Sequence, residues 1–170
     1  MRYTPVVARI LLGLAWLLLL VSMFLPQVGI MFYGYNEILL DGWEVAGLAL
    51  LVAPLNLLAL ITGRAIPAGQ FISIPLFLSD LLFFASLFAL LKFKSGRLAG
   101  RSIYVTLNLI CVVLLALPLP QAVSHLDPNI SDKIQLLSGL FVWFGAQVAL
   151  TLSASVQLLE AYLIERRQAA

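Results

Sequence analysis

The stretch WEVAGLALLVAPLNLLALIT, residues 43–62, decides the fold. It carries no charged residue between Val45 and Thr62. At about 1.5 Å per residue, a helix of this length covers roughly 30 Å, the thickness of the hydrocarbon core of a bilayer. Helices without a polar stripe are typical of membrane proteins, because a helix at the surface of a soluble domain needs a face for water. This stretch therefore predicts a membrane protein.

The composition of the whole chain agrees with this class. Of its 170 residues, 62% are hydrophobic and 11% are charged, with a mean hydropathy of +1.06, whereas about a quarter of the residues in a soluble domain are charged. The net charge is only +2 and the Lys and Arg residues are scattered in short loops, so nucleic-acid binding has no support. Cys111 is the only cysteine, which excludes an intrachain disulfide and a Cys-rich metal site.

Four more apolar runs flank the first one along the chain. Together they predict a single transmembrane domain over residues 1–170, with spans at about 6–25, 43–62, 71–91, 103–120 and 134–159. The expected fold is all-α: a polytopic membrane helix bundle of five transmembrane helices. The alternative is four spans plus one re-entrant or interfacial segment at 43–62, where a proline and an asparagine interrupt the apolar run.

The basic residues bear on the choice between these two arrangements. Five spans with the N-terminus outside leave six Lys and Arg on the inner side and four outside, whereas a segment 43–62 that does not cross leaves eight inside and two outside. Because basic loops prefer the cytoplasmic side, the charge count favours the second arrangement, and hydropathy favours the first. Both arrangements place the loop 92–102 and the C-terminus in the cytoplasm.

Small residues recur at helical spacing in three of the runs and predict where helices pack closely, because membrane helices gain little from apolar burial against one another. The three seams are Ala8, Ala15 and Ser22; Ala46, Ala49, Ala53 and Asn56; and Gly139, Ala146, Ala149 and Ser153. Trp16 and Trp143 fall well inside their spans, so we expect each indole to pack against a neighbouring helix, or else to face a ligand.

Polar side chains near the middle of four different segments are the strongest candidates for a site. They are Asn56, Asp80, Asn108 and Gln147, each within roughly 5 Å of the membrane midplane by helical rise. An ionised Asp80 would be disfavoured by about 3 kcal/mol on insertion scales. One interpretation is that Asp80 exchanges a proton or binds a cation, with the amides and Ser79 completing the site. The other is that a protonated Asp80 bonds to Asn56 or Asn108 and holds the bundle together.

Aromatic and basic residues near the span ends predict contacts outside the bundle. Tyr33, Tyr35 and Trp43 lie in an acidic, aromatic loop that could grip a partner or lie in the membrane interface, and Tyr104 and Tyr162 are expected headgroup anchors. A basic cluster is expected to contact lipid headgroups: Lys92, Lys94, Arg97 and Arg101.

No arrangement of side chains typical of catalysis, metal binding or cofactor binding occurs in the sequence. His125 is the only histidine, so a bis-His haem within this chain is excluded. Ser-His-Asp, phosphate-loop, HExxH and Rossmann patterns are missing from the chain. We therefore predict no catalytic residues, no metal and no cofactor.

Three short motifs carry a resemblance. The stretch SMFLP at residues 22–26, the triplet GWE at 42–44 and the triplet PLN at 54–56 resemble a pattern in small, uncharacterised bacterial inner-membrane proteins. That pattern has a Phe-Leu-Pro helix end, a Gly-Trp-Glu entry, and an Asn and a Pro in the second helix. The resemblance covers roughly the first 60 residues. It implies a bacterial inner membrane and no particular activity.

These features predict a non-catalytic integral membrane protein, an accessory or scaffold subunit of a larger membrane assembly, with lipid and other membrane subunits as its partners. The second hypothesis is a small transporter or a proton- or ion-coupled membrane component that uses Asp80. A membrane enzyme acting on lipid is the third, and enzymes are the least supported class.

Overall fold

The structure is a computed structural model that describes residues 4–32, 36–64, 73–92, 98–117, 134–136 and 138–168. The described helices are α1 Thr4–Met23, α2 Gly42–Ile61, α3 Ser73–Lys92, α4 Leu98–Ala116 and α5 Ser138–Gln168. Three short strands are described as well: β1 Pro26–Phe32, β2 Asn36–Asp41 and β3 Ile134–Leu136. The prediction of an all-α helix bundle is confirmed, and the short strands add a small sheet at one end of it.

By length and composition, α1, α2, α4 and α5 are each long and apolar enough to cross a membrane, and α3 has a shorter fully described apolar stretch, Ser73–Leu87. The first three predicted spans agree with their helices to within a few residues. The fourth helix begins five residues earlier than predicted, at Leu98, and the fifth continues to Gln168. Hydropathy missed both extensions because it reports only how apolar a segment is, and residues such as Leu, Ala, Glu, Arg and Gln favour helix whether or not they are apolar.

α1 and α5 pack antiparallel along the predicted small-residue seams. The Ser153 hydroxyl donates to the Ala8 carbonyl over 2.7 Å near the start of α1. Beyond the other end of α1, Gly139 approaches Leu25 so closely that a Cβ on the glycine would lie 2.8 Å from the Leu25 carbonyl oxygen. All seven seam residues of these two helices are buried. The spacing of small residues therefore predicted which faces meet.

α3 and α4 run lengthwise beside this pair. The Asn108 and Gln147 amides bond over 2.9 Å, and an Arg101 guanidinium nitrogen donates to the Gln157 carbonyl over 3.2 Å, so α4 is antiparallel to α5. The Cys111 thiol contacts the Pro75 carbonyl at 3.5 Å near the start of α3. One end of the bundle, here called the sheet end, therefore holds the end of α1, the start of α3, the end of α4 and the start of α5. The opposite end is called the basic end.

α2 lies across the sheet end instead of running along the bundle. Its first residue, Gly42, donates its backbone N–H to the Leu25 carbonyl over 3.1 Å, just past α1. Fourteen residues later, Asn56 donates to the hydroxyl of Ser73, the first residue of α3, over 3.0 Å. Those fourteen residues cover about 21 Å of helix, yet both contacts lie at the same end of the bundle. A lengthwise helix would carry the second contact toward the basic end, so α2 runs across the bundle.

Of the five described helices, four therefore run along the bundle, and the apolar segment 43–62 forms the crosswise α2. It is an unbroken helix through Pro54, so it does not turn back on itself. Hydropathy could not reveal this, because it reports how apolar a helix is and not its direction.

The strands form one antiparallel sheet in the order β2-β1-β3 at the sheet end. β1 and β2 make a hairpin in which Phe32 pairs with Asn36 and Pro26 with Asp41. β3 pairs with the middle of β1, Ile134 opposite Ile30. Residues 134–136 were expected within the fifth span. That expectation is wrong, because these residues form a strand that pairs with β1 before α5 begins at Ser138.

Candidate functional site

A chain of buried hydrogen bonds joins α3, α4 and α5 near the middle of the bundle. The Trp143 indole N–H donates to the Ser79 hydroxyl over 2.9 Å, and that hydroxyl donates to Gln147 Oε1 over 2.8 Å. Gln147 Nε2 donates to Asn108 Oδ1 over 2.9 Å, and Asn108 Nδ2 donates to the Tyr104 carbonyl over 2.8 Å. We call Trp143, Ser79, Gln147 and Asn108 the polar chain.

Every member of the polar chain is fully buried. The Gln147 side chain uses both its oxygen and its nitrogen within the polar chain. In addition, the Thr151 hydroxyl donates to the Gln147 backbone carbonyl over 2.8 Å. A buried amide whose donor and acceptor are both paired avoids the desolvation cost of an unmade hydrogen bond, about 1–3 kcal/mol for each group. The chain therefore fixes three helices in register, with both the oxygen and the nitrogen of the Gln147 side chain hydrogen-bonded.

Asp80 lies beside the polar chain but does not join it. It follows Ser79 in α3, is only 5% exposed, and lies near the Cys111 thiol. Its Oδ2 is buried and has no hydrogen-bond partner among the residues that the structure describes. Because an ionised, unpaired carboxylate is strongly disfavoured in such surroundings, they favour the neutral acid. Asp80 is thus the one member of the predicted set whose polar capacity is not used by packing contacts in the described part of the chain.

Asn56 is apart from the other three predicted residues. It bonds to Ser73, which precedes Asp80 by seven residues, about 10 Å of helix. Its contact ties the crosswise α2 to the start of α3. The structure therefore joins Asn108 to Gln147 and places Asp80 next to them. Asn56 lies apart from these three, at the sheet end.

Aromatic side chains inside the bundle make specific contacts between helices. Trp16 of α1 donates to the Ser86 hydroxyl of α3 over 3.2 Å, and its ring meets Phe83 edge to face at a centroid distance of 5.4 Å. With Trp143 in the polar chain, both tryptophans pack against neighbouring helices, as expected. Tyr104 was expected at the headgroups, and its hydroxyl instead donates to the Leu82 carbonyl over 2.9 Å. That expectation was wrong because nearness to a span end does not reveal which face a ring occupies.

The predicted partner loop is described only in part, since Tyr33 and Tyr35 lie outside the described residues. Trp43 is 61% exposed in the first turn of α2. Next to it, Glu44 accepts a hydrogen bond from the backbone N–H of Asp41 over 3.0 Å, which caps the helix start. The GWE triplet therefore has a structural meaning: a closely packed glycine, an exposed indole and a capping carboxylate.

The predicted headgroup cluster is also described only in part. Arg101 contacts α5 through the Gln157 carbonyl, a role that sequence analysis missed. Lys92 ends α3, and nothing is described of its side chain, while Lys94 and Arg97 lie outside the described ranges, as does His125. Within those ranges, no group of three or more His, Cys, Asp or Glu residues could hold a metal ion.

One close-packed junction at the sheet end was not predicted at all. Gln27 is fully buried, and its Nε2 donates to the Ser22 carbonyl over 3.3 Å. A Cβ on Gly42 would lie 2.8 Å from that nitrogen, and a Cβ on Gly139 would lie 2.8 Å from Gln27 Cγ. The first turns of α2 and α5 thus converge on one side chain. We call Gln27, Gly42 and Gly139 the glycine junction.

The geometry offers two kinds of chemistry. The polar chain and the glycine junction hold helices together, whereas Asp80 carries a carboxyl group that could take up and release a proton. Comparisons with protein-family models, with curated proteins and with solved structures found no match.

Proposed function

We propose that the protein is a non-catalytic accessory or scaffold subunit of a larger membrane assembly. One observation carries this proposal: α5 extends well past its neighbour. The Ser153 contact sets Ala8 level with Ser153. Only four residues of α1 precede Ala8, whereas fifteen residues of α5 follow Ser153, so about ten residues, roughly 15 Å of helix, project beyond α1.

The projecting segment, residues 159–168, is here called the α5 extension. Leu159, Tyr162 and Ile164 are each about half exposed on it. Apolar area left in water is unfavourable by about 25 cal/mol per Å². Covering its apolar side chains with a partner would stabilise it, which supports a role in assembly.

The polar chain supports the non-catalytic part of the proposal. Its amide, hydroxyl and indole groups are bonded to one another across three helices. Groups that are paired in this way contribute to the rigidity of a bundle, and breaking them to bind a substrate would be costly. Rigidity suits a subunit that presents a fixed surface.

The proposed location is the inner membrane of a bacterium, with the basic end in the cytoplasm. α1 begins, α3 ends, α4 begins and α5 ends at the basic end, and for this arrangement the sequence has eight basic residues inside and two outside. Basic residues near membrane helices prefer the cytoplasmic side. The C-terminus, the loop 92–102 and the α5 extension would then be cytoplasmic, and basic side chains there would contact anionic lipid.

Replacing Tyr162 and Ile164 together with alanine is expected to weaken the assembly at least tenfold without unfolding the subunit, because both side chains are exposed on the α5 extension. The matched control is Leu152→Ala, which removes an equally exposed apolar side chain from the same helix within the bundle. Native mass spectrometry after extraction in mild detergent would measure the stoichiometric complex. A wild-type chain that is monomeric and partnerless, or equal losses in both variants, would refute the proposal.

A second candidate function is proton or cation coupling through Asp80. It is favoured by one observation, the buried carboxyl oxygen without a hydrogen-bond partner among the described residues. Acids at membrane depth are expensive and frequently serve transport. No other acid or base is described within the polar chain, so this function would use a single site and not a relay.

Asp80→Asn is expected to abolish proton uptake by vesicles that contain the reconstituted protein, if this second function holds, since the amide cannot release a proton. Infrared spectroscopy gives an independent readout, because the carbonyl stretch of a protonated carboxyl should be present at neutral pH and missing from the variant. Glu165→Gln, at an exposed acid, is the control. Unchanged uptake in Asp80→Asn with the assembly intact would remove this candidate.

A further inference from the structure

The outward surface of α2 is apolar around a wide arc of the helix. The side facing the bundle is one stripe of buried residues: Gly42, Val45, Ala49, Ala53 and Asn56. Large apolar side chains are exposed on the rest of the helix, among them Leu48, Leu51, Leu55, Leu58 and Ile61. With about 3.6 residues per turn, these positions spread over about 140°, and the exposed Leu57 widens the arc to roughly half of the circumference.

Water is a poor match for this surface. No charged residue occurs between Val45 and Thr62, and Ile61 is 82% exposed. Apolar area left in water costs about 25 cal/mol per Å², and a helix that rests on a membrane surface normally keeps a charged face toward the water. α2 has no such face.

A single partner helix is also a poor match, because helix packing covers one stripe of side chains and not half of a circumference. Acyl chains cover an arc of any width. The ends of α2 fit the same environment. Trp43 is exposed at one end, and Thr62 and Arg64 are exposed at the other. An indole and a snorkelling guanidinium both suit the headgroup layer.

We propose that α2 is an in-plane membrane helix whose outward surface contacts the acyl chains of the leaflet at the sheet end. Gly42 at its start and Asn56 in its second half are fixed to that end of the bundle through Leu25 and Ser73, so the helix lies at nearly constant depth. The chain then crosses the membrane four times, through α1, α3, α4 and α5, with both termini on one side. This inference does not depend on the proposed function.

Spin labels on single cysteines at positions 48, 55 and 61 test the proposal in vesicles of phosphatidylethanolamine and phosphatidylglycerol. Each label should collide readily with oxygen and poorly with a water-soluble nickel complex, and the three depths should agree to within about 5 Å. Val113, exposed on the crossing helix α4, is the control for acyl-chain contact, and Glu165 is the control for water. Cys111 is buried, so a preparation without added cysteine shows whether it takes up label.

Three results would overturn the proposal. If α2 crossed the membrane, the labels at positions 48 and 61 would differ in depth by about 20 Å. Ready collision with the nickel complex would show that the surface faces water. Labels that meet neither reagent would show that a protein, a second copy of this chain or another subunit, covers the surface.

Discussion

Gly42→Ala is expected to disrupt the attachment of α2 to the end of α1 and to lower the free energy of unfolding by about 3 kcal/mol. A Cβ on Gly42 would clash with the Ser22 carbonyl oxygen and would lie 2.6 Å from Met23 Cα. Both are backbone atoms, which cannot rotate away as the end of a flexible side chain can. The first turn of α2 would have to move, and its hydrogen bond to the Leu25 carbonyl would be lost with it.

Gly47→Ala is the matched control for this change. Gly47 lies in the same helix, and a Cβ there would meet nothing within 4 Å. Alanine favours helix over glycine by about 1 kcal/mol, so the control should be neutral or more stable. Thermal unfolding followed by circular dichroism in detergent would compare the two variants with the parent protein. Equal stability of Gly42→Ala and Gly47→Ala would show that α2 does not approach α1 as closely as described.

The packing faces of α1 and α5 could be predicted from the sequence because small residues mark them, although their spacing does not say which helix pairs with which. Ala8, Ala15 and Ser22 recur every seven residues, and two backbones can approach closely only where such residues face each other. The Ser153 hydroxyl then finds the Ala8 carbonyl. The residues that permit close packing recur at a regular spacing along one helix, so they can be recognised in the sequence.

The direction of α2 could not be predicted in the same way. The apolar run at 43–62 has the length and hydropathy of a crossing helix, and its direction depends on two contacts with distant parts of the chain, at Leu25 and Ser73. Hydropathy contains no information about such contacts. The count of basic residues bears on the same question in a different way, because it depends on the side of the membrane on which the helix ends lie.

The candidate site was predictable in part for a similar reason. Polar residues at equal depth on different helices have a strong tendency to meet, and Asn108 and Gln147 do so. Depth cannot say which pairs form, so the Ser73 partner of Asn56 and the Trp143 bond to Ser79 were not expected. Gln27 gave no sequence signal of its own, because it lies outside every apolar run.

Gln147→Leu is expected to destabilise the bundle by about 2–4 kcal/mol, because it leaves two buried groups without partners at once. Asn108 Oδ1 would lose its donor and the Ser79 hydroxyl would lose its acceptor, and each orphaned group costs about 1–3 kcal/mol. Unfolding in mixed micelles with increasing sodium dodecyl sulfate would measure the loss. Gln157→Leu makes the same chemical change in the same helix at a half-buried position whose described side-chain bond is a weak 3.5 Å contact, and it should cost far less.

The double variant Asn108→Leu, Gln147→Leu tests whether the two amides stabilise the bundle through their mutual hydrogen bond or only through independent packing. If the two amides stabilise the bundle through each other, removing both should cost less than the sum of the single losses, by about 1 kcal/mol. Pairs between membrane helices average about 0.6 kcal/mol, and the linkage to Ser79 and Trp143 should raise this value. Strictly additive losses would mean that the amides act independently, and the polar chain could not then be what fixes α3, α4 and α5 in register.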